Sequence, residues 1–333
     1  MSKLLSRNHR RYSLRLGGDF FPSLSMRRVA VLLTGVLLLS SPQMPAGNPI
    51  ITTSYTADPS ARVFNGKLYL YASHDRDDAQ AWDMTDWHVF SSEDLVHWTD
   101  HGVALDLKQV PFAKKYAWAP DCAFRNGKYY FYFPVSQENR CNTDRVGVAV
   151  GDNPEGPFTC HPKPLISGYP EAFDPCVFVD DDGSAYLVAG QKRLGVGKLK
   201  ESMLELDGPL RAVQGASGFF EGAWMHKYRG KYYLSYSTGR DISYAMGDSP
   251  FGPFVRKGVI LKGVPHAAST THHSIVEFKG QWYLFYHSAA LADDHKAPNR
   301  NYKRSVCIDR LSYNPDGTIV PVVPTLSGVG AVK

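Results

Sequence analysis

Residues 126–132 read Asn-Gly-Lys-Tyr-Tyr-Phe-Tyr, and this pattern of a turn followed by an aromatic strand recurs four more times along the chain. Asn-Gly and Asp-Gly pairs indicate β-hairpin turns, because glycine adopts positive φ angles without strain. The other copies stand at residues 65–71, 182–187, 229–236 and 279–286. Their glycines are 61, 56, 47 and 50 residues apart, and recurrence at such a period indicates a repeat architecture.

Each hairpin is followed by another short stretch that is typical of a strand. These stretches are residues 87–91, 146–150, 195–199, 242–246 and 304–310. With one short strand before each hairpin, every repeat has about four strands, and five such repeats predict an all-β fold, the five-bladed β-propeller. A β-sandwich or two stacked all-β domains is the alternative.

Charge divides the 333-residue chain into two parts. Residues 1–46 hold seven of the 37 basic residues and one of the 32 acidic residues. Residues 47–333 therefore carry 30 basic and 31 acidic side chains, a net charge of −1. We expect no nucleic-acid partner, since the body has neither a basic excess nor a nucleic-acid-binding motif.

The N-terminal part has the order of a secretory signal. Basic residues 27–28 precede an apolar run at 29–39 and a small, polar exit. We predict that residues 1–46 are a leader, with translation starting at Met1 or at Met26, and that residues 47–333 are one exported catalytic domain. The apolar run is shorter than the roughly 20 residues that span a bilayer. No stable membrane insertion is therefore expected once the leader is removed; a buried helix or a short anchor is the alternative.

Four of the five predicted inner strands begin with an acidic residue, and the fifth carries a histidine. The residues are Asp58, Asp121, Asp174, Glu221 and His272. A buried carboxylate is costly unless it is paired, and carboxylates gathered at one axis acquire divergent pKa values. Acid–base hydrolysis needs one ionised and one protonated carboxyl group. The alternative is that the Asp-Pro and Pro-Asp pairs are turn caps.

At these residues the chain resembles the family 43 glycoside hydrolases, over residues 48–325. The matching segments are ADPS at 57–60, WAPD at 118–121, DPCVFVDDDG at 174–183, FEGAW at 220–224 and HHSIVEFKGQWYLFYH at 272–287. The resemblance implies a five-bladed propeller that hydrolyses xylan or arabinan fragments with inversion of configuration. It implies that Asp58 is the general base, Glu221 the general acid, and Asp174 the carboxylate that orients the acid and raises its pKa.

The resemblance implies three further site residues. Trp118 is expected to offer its face to the sugar, although a core aromatic is the alternative. Arg304 is expected to contact the sugar, with a surface cation as the alternative. His272 is expected beneath the pocket, close to the substrate and as a ligand of a Ca²⁺ ion at the propeller axis that water mostly holds. A hydrogen-bonding inner-strand histidine is the alternative, and no cofactor is expected to be required. Asp121 is expected to be a structural cap, and a substrate contact is the alternative.

Segments 83–102 and 117–122 resemble the β-xylosidase branch most closely. We therefore hypothesise an exo-acting β-xylosidase whose substrates are xylo-oligosaccharides. An α-L-arabinofuranosidase or an arabinanase of the same fold is the alternative, because the two sugars present similar hydroxyl patterns. A non-catalytic carbohydrate-binding propeller is a third alternative, and the retention of three carboxylates argues against it.

Overall fold

The computed structural model describes residues 47–138 and 142–333. The predicted leader, residues 1–46, lies outside the described residues. Within the described ranges, no helix is both long and apolar enough to cross a membrane.

Four of the five repeated turns have the backbone conformation that their sequences predict. Asn65 and Gly66 have φ angles of 52° and 76°, and the pairs at 126–127, 229–230 and 279–280 are also both positive. Two successive positive φ angles define the type I′ turn, whose twist matches that of the strands it joins. The turn at 182–183 differs, since only Gly183 is positive there.

The strands form five antiparallel sheets, and each sheet is one blade. Blade 1 contains β1 (Tyr55–Phe64), β2 (Lys67–Asp75), β3 (Asp86–Ser92) and β4 (Trp98–Asp106). Blade 2 contains β5 (Asp121–Arg125), β6 (Lys128–Val135), β7 (Arg145–Gly151), β8 (Thr159–Cys160) and β9 (Ile166–Ser167). Blade 3 contains β10 (Cys176–Val179), β11 (Ala185–Ala189), β12 (Gly195–Lys198) and β13 (Arg211–Ala212). Blade 4 contains β14 (Glu221–Tyr228), β15 (Lys231–Ser237), β16 (Ile242–Gly247) and β17 (Val255–Leu261).

Blade 5 contains β18 (His273–Phe278), β19 (Gln281–Ser288) and β20 (Ser305–Leu311). The short helix α1 (Ala290–Asp294) and a 3₁₀ turn (Arg300–Tyr302) lie between its last two strands. Another 3₁₀ turn (Leu107–Gln109) follows β4.

The first strands of the blades form a closed ring. Strand β1 contacts β5, β5 contacts β10, β10 contacts β14, β14 contacts β18, and β18 contacts β1. This ring confirms the five-bladed propeller and excludes the sandwich and the two stacked domains. It also brings the acidic starts of the inner strands to one axis.

The last blade has three strands where the sequence predicts four, and the N-terminal segment completes it. The amide of Ile50 donates to the carbonyl of Val306 at 2.8 Å. The side chain of Asn48 donates to the carbonyl of Ile308 at 3.0 Å and accepts from the amide of Ile308 at 2.8 Å. The two ends of the propeller are therefore joined, which protects the edge of the outer strand β20.

Hydrophobic side chains fill the spaces between neighbouring blades. Tyr71 and Trp87 of blade 1 pack with Phe131 and Phe133 of blade 2. On the other face of blade 1, residues such as Phe90 pack against blade 5. Because the blades hold each other through these aromatic layers, the inner ends of the strands have fixed positions relative to the axis.

Candidate active site

One pocket at the axis gathers all six site residues that the sequence predicts. Its volume is about 160 Å³. It is lined by Asp58, Trp82, Met84, Trp118, Asn142, Phe173, Asp174, Gln191, Phe220, Glu221, Thr270, His272 and Arg304. The three predicted catalytic carboxylates are each at most 5% exposed, so their charges depend on neighbouring groups rather than on bulk water.

Irregular backbone aims two of these carboxylates into the pocket. Asp58 has a φ of 52°, and the pairing of β1 with β2 shifts register between Ala57 and Ser60. Asp174, immediately upstream of β10, has a φ of 43°. Positive φ costs free energy in a residue other than glycine, although aspartate tolerates it better than most. Such strain is typical of functional sites, where it re-aims a side chain.

A second bulge positions Glu221 at the start of β14. The register of β14 and β15 shifts between Glu221 and Trp224. The intervening Gly222 has a φ of 61°, and a Cβ atom there would lie 3.2 Å from the ring of His272. Glycine is therefore required both for the turn and for the close approach. Its amide donates to Oδ2 of Asp174 at 3.0 Å, so Asp174 fixes the backbone next to Glu221.

Arg304 keeps Asp58 ionised. Nη1 of Arg304 donates to Oδ1 of Asp58 at 2.8 Å, and the hydroxyl of Ser73 donates to Oδ2 at 2.8 Å. Burial acts to raise the pKa of Asp58, but Arg304 and then His272 oppose it and hold the pKa well below the usual range of an aspartate. A carboxylate that is ionised at neutral pH can accept a proton from water.

The guanidinium group of Arg304 is itself clamped by Asp75, a residue that the sequence analysis missed. Nε and Nη2 of Arg304 donate to the two carboxylate oxygens of Asp75, each at 2.9 Å. Arg304 is 3% exposed, so the surface-cation alternative is wrong. It lines the pocket, as predicted for a sugar contact, but its shortest hydrogen bonds go to two carboxylates. Asp75 belongs to none of the sequence motifs that indicate the site. It reaches Arg304 only because it stands at the end of β2.

Glu221 has two polar neighbours on opposite sides of its carboxyl group. Nε2 of Gln191 donates to Oε2 at 2.7 Å, and Nε2 of His272 lies 3.2 Å from Oε1. Gln191 follows β11 and was also missed, since its Gly-Gln-Lys context resembles any loop. These two contacts hold the carboxyl group in one orientation, which a positioned proton donor needs.

His272 lies between the three carboxylates. Its Nδ1 is 3.3 Å from Oδ1 of Asp58, and its Nε2 is 3.5 Å from Oδ2 of Asp174. Burial acts to lower the pKa of His272, but Asp174, Asp58 and Glu221 outweigh it and raise the pKa to about 10. The imidazole is therefore a cation at neutral pH, with an N–H directed to each side of the site.

The surroundings of Asp174 raise its pKa and so favour its protonated form. Burial raises the pKa, His272 opposes it, and the charges of Glu221 and Asp58 add to the rise, so that the pKa of Asp174 is about 8. The site is therefore asymmetric: Arg304 favours the ionised form of Asp58, and burial favours the protonated form of Asp174. The resemblance assigns the acid role to Glu221 and the orienting role to Asp174, and these roles stay predictions.

Aromatic side chains form one wall of the pocket. Nε1 of Trp118 donates to the carbonyl of Trp82 at 2.9 Å, and its ring packs on Tyr116 with centroids 4.5 Å apart. Trp118 is half-buried and lines the cavity together with Phe173. An aromatic wall of this kind suits the C–H face of a sugar ring.

The axial donor set is a poor fit to calcium. Ca²⁺ prefers six to eight oxygen ligands. Asp174, Glu221 and His272 each place one possible ligand atom within 4.8 Å of the others. However, both nitrogens of His272 already face carboxylates, and the two acids are predicted reacting groups. The described side chains thus form no calcium cage, and an ion here would depend mainly on water.

Asp121 is not part of the pocket. It accepts hydrogen bonds from Ser60, from Arg62 and from the amide of Val177, and it is 1% exposed. Among the four inner-strand acids, it is the one that performs a purely structural role, as expected.

Comparison with known proteins identifies one family. The model of "Glycosyl hydrolases family 43" matches residues 46–319. "Xylosidase/arabinosidase 43A" of Humicola insolens is 43% identical, and the match covers 83% of this chain and 99% of that protein. The "GH43_1 enzyme from Xanthomonas citri complexed with xylotriose" has a TM-score of 0.76 and 39% identity, covering 86% of this chain and 96% of that one. "CoXyl43", a "beta-xylosidase/alpha-arabinofuranosidase from a compost microbial metagenome in complex with xylotriose, calcium-free form", has a TM-score of 0.76 and 38% identity, covering 85% and 98%.

Proposed function

This chain belongs to glycosyl hydrolases family 43, and from that premise we propose that it is an exo-acting β-xylosidase that releases xylose from xylo-oligosaccharides. It is a glycosidase that hydrolyses O-glycosyl bonds, as its family and its relatives are. The observation that carries the proposal is the convergence of Asp58, Asp174 and Glu221 on one aromatic-walled pocket.

The reaction needs a proton donor and a proton acceptor on opposite faces of the sugar. Glu221 protonates the glycosidic oxygen as the bond to the anomeric carbon breaks. Asp58 removes a proton from the water that attacks the other face, so the product has the inverted configuration. In inverting glycosidases the two carboxyl groups are roughly 6.5–9.5 Å apart. Here the imidazole of His272 separates them, with one nitrogen facing each carboxyl group.

The dimensions of the pocket favour the removal of single sugars. Its volume of about 160 Å³ is below the roughly 300–1,000 Å³ of pockets that hold drug-sized ligands. One pentose ring therefore fits the cavity better than a segment of a polymer. Trp118 and Phe173 supply the wall against which that ring packs.

A second candidate activity is α-L-arabinofuranosidase. The name of the Humicola insolens relative combines both activities, and the two sugars differ mainly in ring size and hydroxyl positions. The same three carboxylates serve either substrate.

The decisive experiment compares aryl β-D-xyloside with aryl α-L-arabinofuranoside and follows xylotriose by chromatography. The proposal predicts faster hydrolysis of the xyloside, xylose released one unit at a time, and α-xylose as the first anomer in the NMR spectrum. Release of internal fragments would refute exo-action, and first formation of β-xylose would refute inversion. If Glu221→Ala retained full activity on xylotriose, the assignment of the acid would be wrong.

Calcium and export enter as secondary proposals. We propose that any calcium dependence arises from a water-held ion near His272, which assays with and without chelator test directly.

We propose export because residues 27–39 are a basic stretch followed by an apolar run. N-terminal sequencing of the protein recovered outside the cytoplasm tests this; recovery of the uncleaved chain in the cytoplasm would contradict it.

A further inference from the structure

A second cluster of metal-ligating side chains lies in blade 1, apart from the catalytic pocket. It consists of His74 on β2 with Asp86 and His88 on β3. Nδ1 of His74 is 2.7 Å from Oδ1 of Asp86, and Nε2 of His88 is 3.3 Å from the same oxygen. The two imidazole rings have centroids 4.2 Å apart. Three residues thus present two nitrogens and one oxygen around one point.

Strand pairing explains why the three side chains meet. Ala72 of β2 is the partner of His88 of β3 in this antiparallel pair. Alternate residues of a strand share a face, so His74 lies on the face of Ala72 and Asp86 on the face of His88. Asp75 follows His74 and therefore points to the opposite face, where it clamps Arg304. The cluster is consequently separate from the acids at the axis.

His88 has unused hydrogen-bonding capacity. Its Nδ1 is buried and has no hydrogen-bond partner among the described residues. Its Nε2 approaches Asp86 only at 3.3 Å. A buried ring with this little hydrogen bonding is costly. Metal coordination through Nε2 would replace its long contact with Asp86 by a strong bond, and Nδ1 would then carry the ring proton.

We propose that His74, Asp86 and His88 bind one divalent first-row transition metal ion, for which Zn²⁺ is the probe. Two imidazoles and one carboxylate suit zinc, with water in the fourth position, and do not suit calcium, which prefers oxygen. Ligands 2.0–2.2 Å from a tetrahedral ion are roughly 3.3–3.6 Å apart. The separation of His88 from Asp86, 3.3 Å, matches this distance, and the hydrogen bond of 2.7 Å from His74 to Asp86 would lengthen on binding. The side chains are 13–25% exposed, so an ion can enter from solvent.

The position of the cluster suggests what such an ion does. His74 and Asp86 lie at the two ends of the ten-residue connection 76–85 between β2 and β3. This connection carries Trp82 and Met84 to the pocket. Coordination would hold the two ends of the connection in fixed relative positions and so restrict the motion of one wall of the pocket. The ion would take no part in the bond cleavage.

The test measures zinc bound to the full-length protein. The protein is stripped with chelator, equilibrated with Zn²⁺, passed through gel filtration and assayed by mass spectrometry; Co²⁺ absorption reports the ligand geometry. We expect one zinc ion per chain in the wild type. His88→Gln and Asp86→Asn should each weaken binding by about tenfold or more, and zinc should raise the melting temperature of the wild type only.

Two variants serve as controls. His97→Gln removes an exposed histidine from the same blade, and His272→Gln removes the axial one; both should retain the zinc ion. Circular dichroism in chelator checks that each variant is folded, and Asp86→Asn replaces His88→Gln if the latter does not fold. The proposal is overturned if the wild type binds no zinc at micromolar concentration. It is equally overturned if His88→Gln and Asp86→Asn retain the ion, or if loss follows His272→Gln alone.

Discussion

Two buried aspartate–arginine pairs lie near the propeller axis, and their roles differ: one is structural, and the other belongs to the candidate active site. In one, Asp121 of blade 2 pairs with Arg62 of blade 1 at 2.5 Å. In the other, Asp58 of blade 1 pairs with Arg304 of blade 5 at 2.8 Å. Both aspartates lie on an inner strand next to a proline, and both are at most 5% exposed.

The difference lies in how many donors each carboxylate has. Asp121 accepts five hydrogen bonds, from Ser60, from Nε and Nη2 of Arg62 and from the amides of Cys122 and Val177. Asp58 accepts one from Arg304 and one from Ser73, Nδ1 of His272 lies 3.3 Å from it, and the carboxylate lines the pocket. A saturated carboxylate is a structural group, whereas an ionised carboxylate with free lone pairs can act as a base.

The matched substitutions Asp58→Asn and Asp121→Asn test this difference most severely. Asp58→Asn should lower kcat by about 10²–10⁴-fold, because the amide cannot accept the proton of water. Steady-state kinetics on xylotriose or aryl xyloside measures the loss, and circular dichroism verifies the fold. If Asp58→Asn kept wild-type kcat while Asp121→Asn lost it, the two roles would have to be exchanged.

Asp121→Asn should act on stability. It leaves the guanidinium of Arg62 without a charged partner, although the contact of this group with the ring of Trp224 at 4.0 Å remains. Breaking a buried ion pair costs about 3–5 kcal/mol, so the denaturant midpoint should fall while kcat of the folded enzyme changes by about twofold or less. An unchanged midpoint would show that the pair contributes little.

Arg304→Lys should change the pH profile rather than only the rate. A lysine cannot reach Asp58 and Asp75 together, so burial would raise the pKa of Asp58 above its wild-type position. Because the base works only when ionised, the acidic limb of kcat/KM should move to higher pH by about one unit or more. An acidic limb at the wild-type pH would mean that Arg304 does not control the charge of Asp58.

Gln191→Leu should give the smallest effect, since it removes one hydrogen bond to Glu221 at 2.7 Å. We expect kcat on xylotriose to fall by about tenfold, equivalent to roughly 1.4 kcal/mol. The loss should be smaller on an aryl xyloside whose leaving group needs little protonation. Tyr169→Phe is the matched control, because the hydroxyl of Tyr169 donates to the other side of Gln191. Equal losses on both substrates would argue against orientation of the acid.

Most of the fold could be predicted because its signals are local. Turn pairs such as Asn65-Gly66 determine their own conformation through backbone sterics, and their spacing counts the blades. The N-terminal completion of blade 5 was not predicted, since Asn48 and Ile308 are 260 residues apart and neither lies in a recognisable pattern.

The site was predictable where the residues lie within motifs and unpredictable where they do not. Asp58, Asp174 and Glu221 stand in short segments at regular positions in the repeat. Asp75 and Gln191 reach the same pocket from ordinary strand and loop sequence, because the ends of different strands meet only in the folded chain.

By itself, the sequence determined the all-β repeat, the number of blades, the family and the acids that begin the inner strands. The tertiary structure alone decided which of those acids is saturated with hydrogen bonds, which of them faces the pocket, and that Arg304 binds two carboxylates. The physical reason is that a hairpin is stabilised by neighbours in sequence, whereas the charge of a buried carboxyl group depends on burial and on partners from other blades. Asp58 and Asp121 each stand next to a proline on an inner strand; their different partners make one a candidate base and the other a structural support.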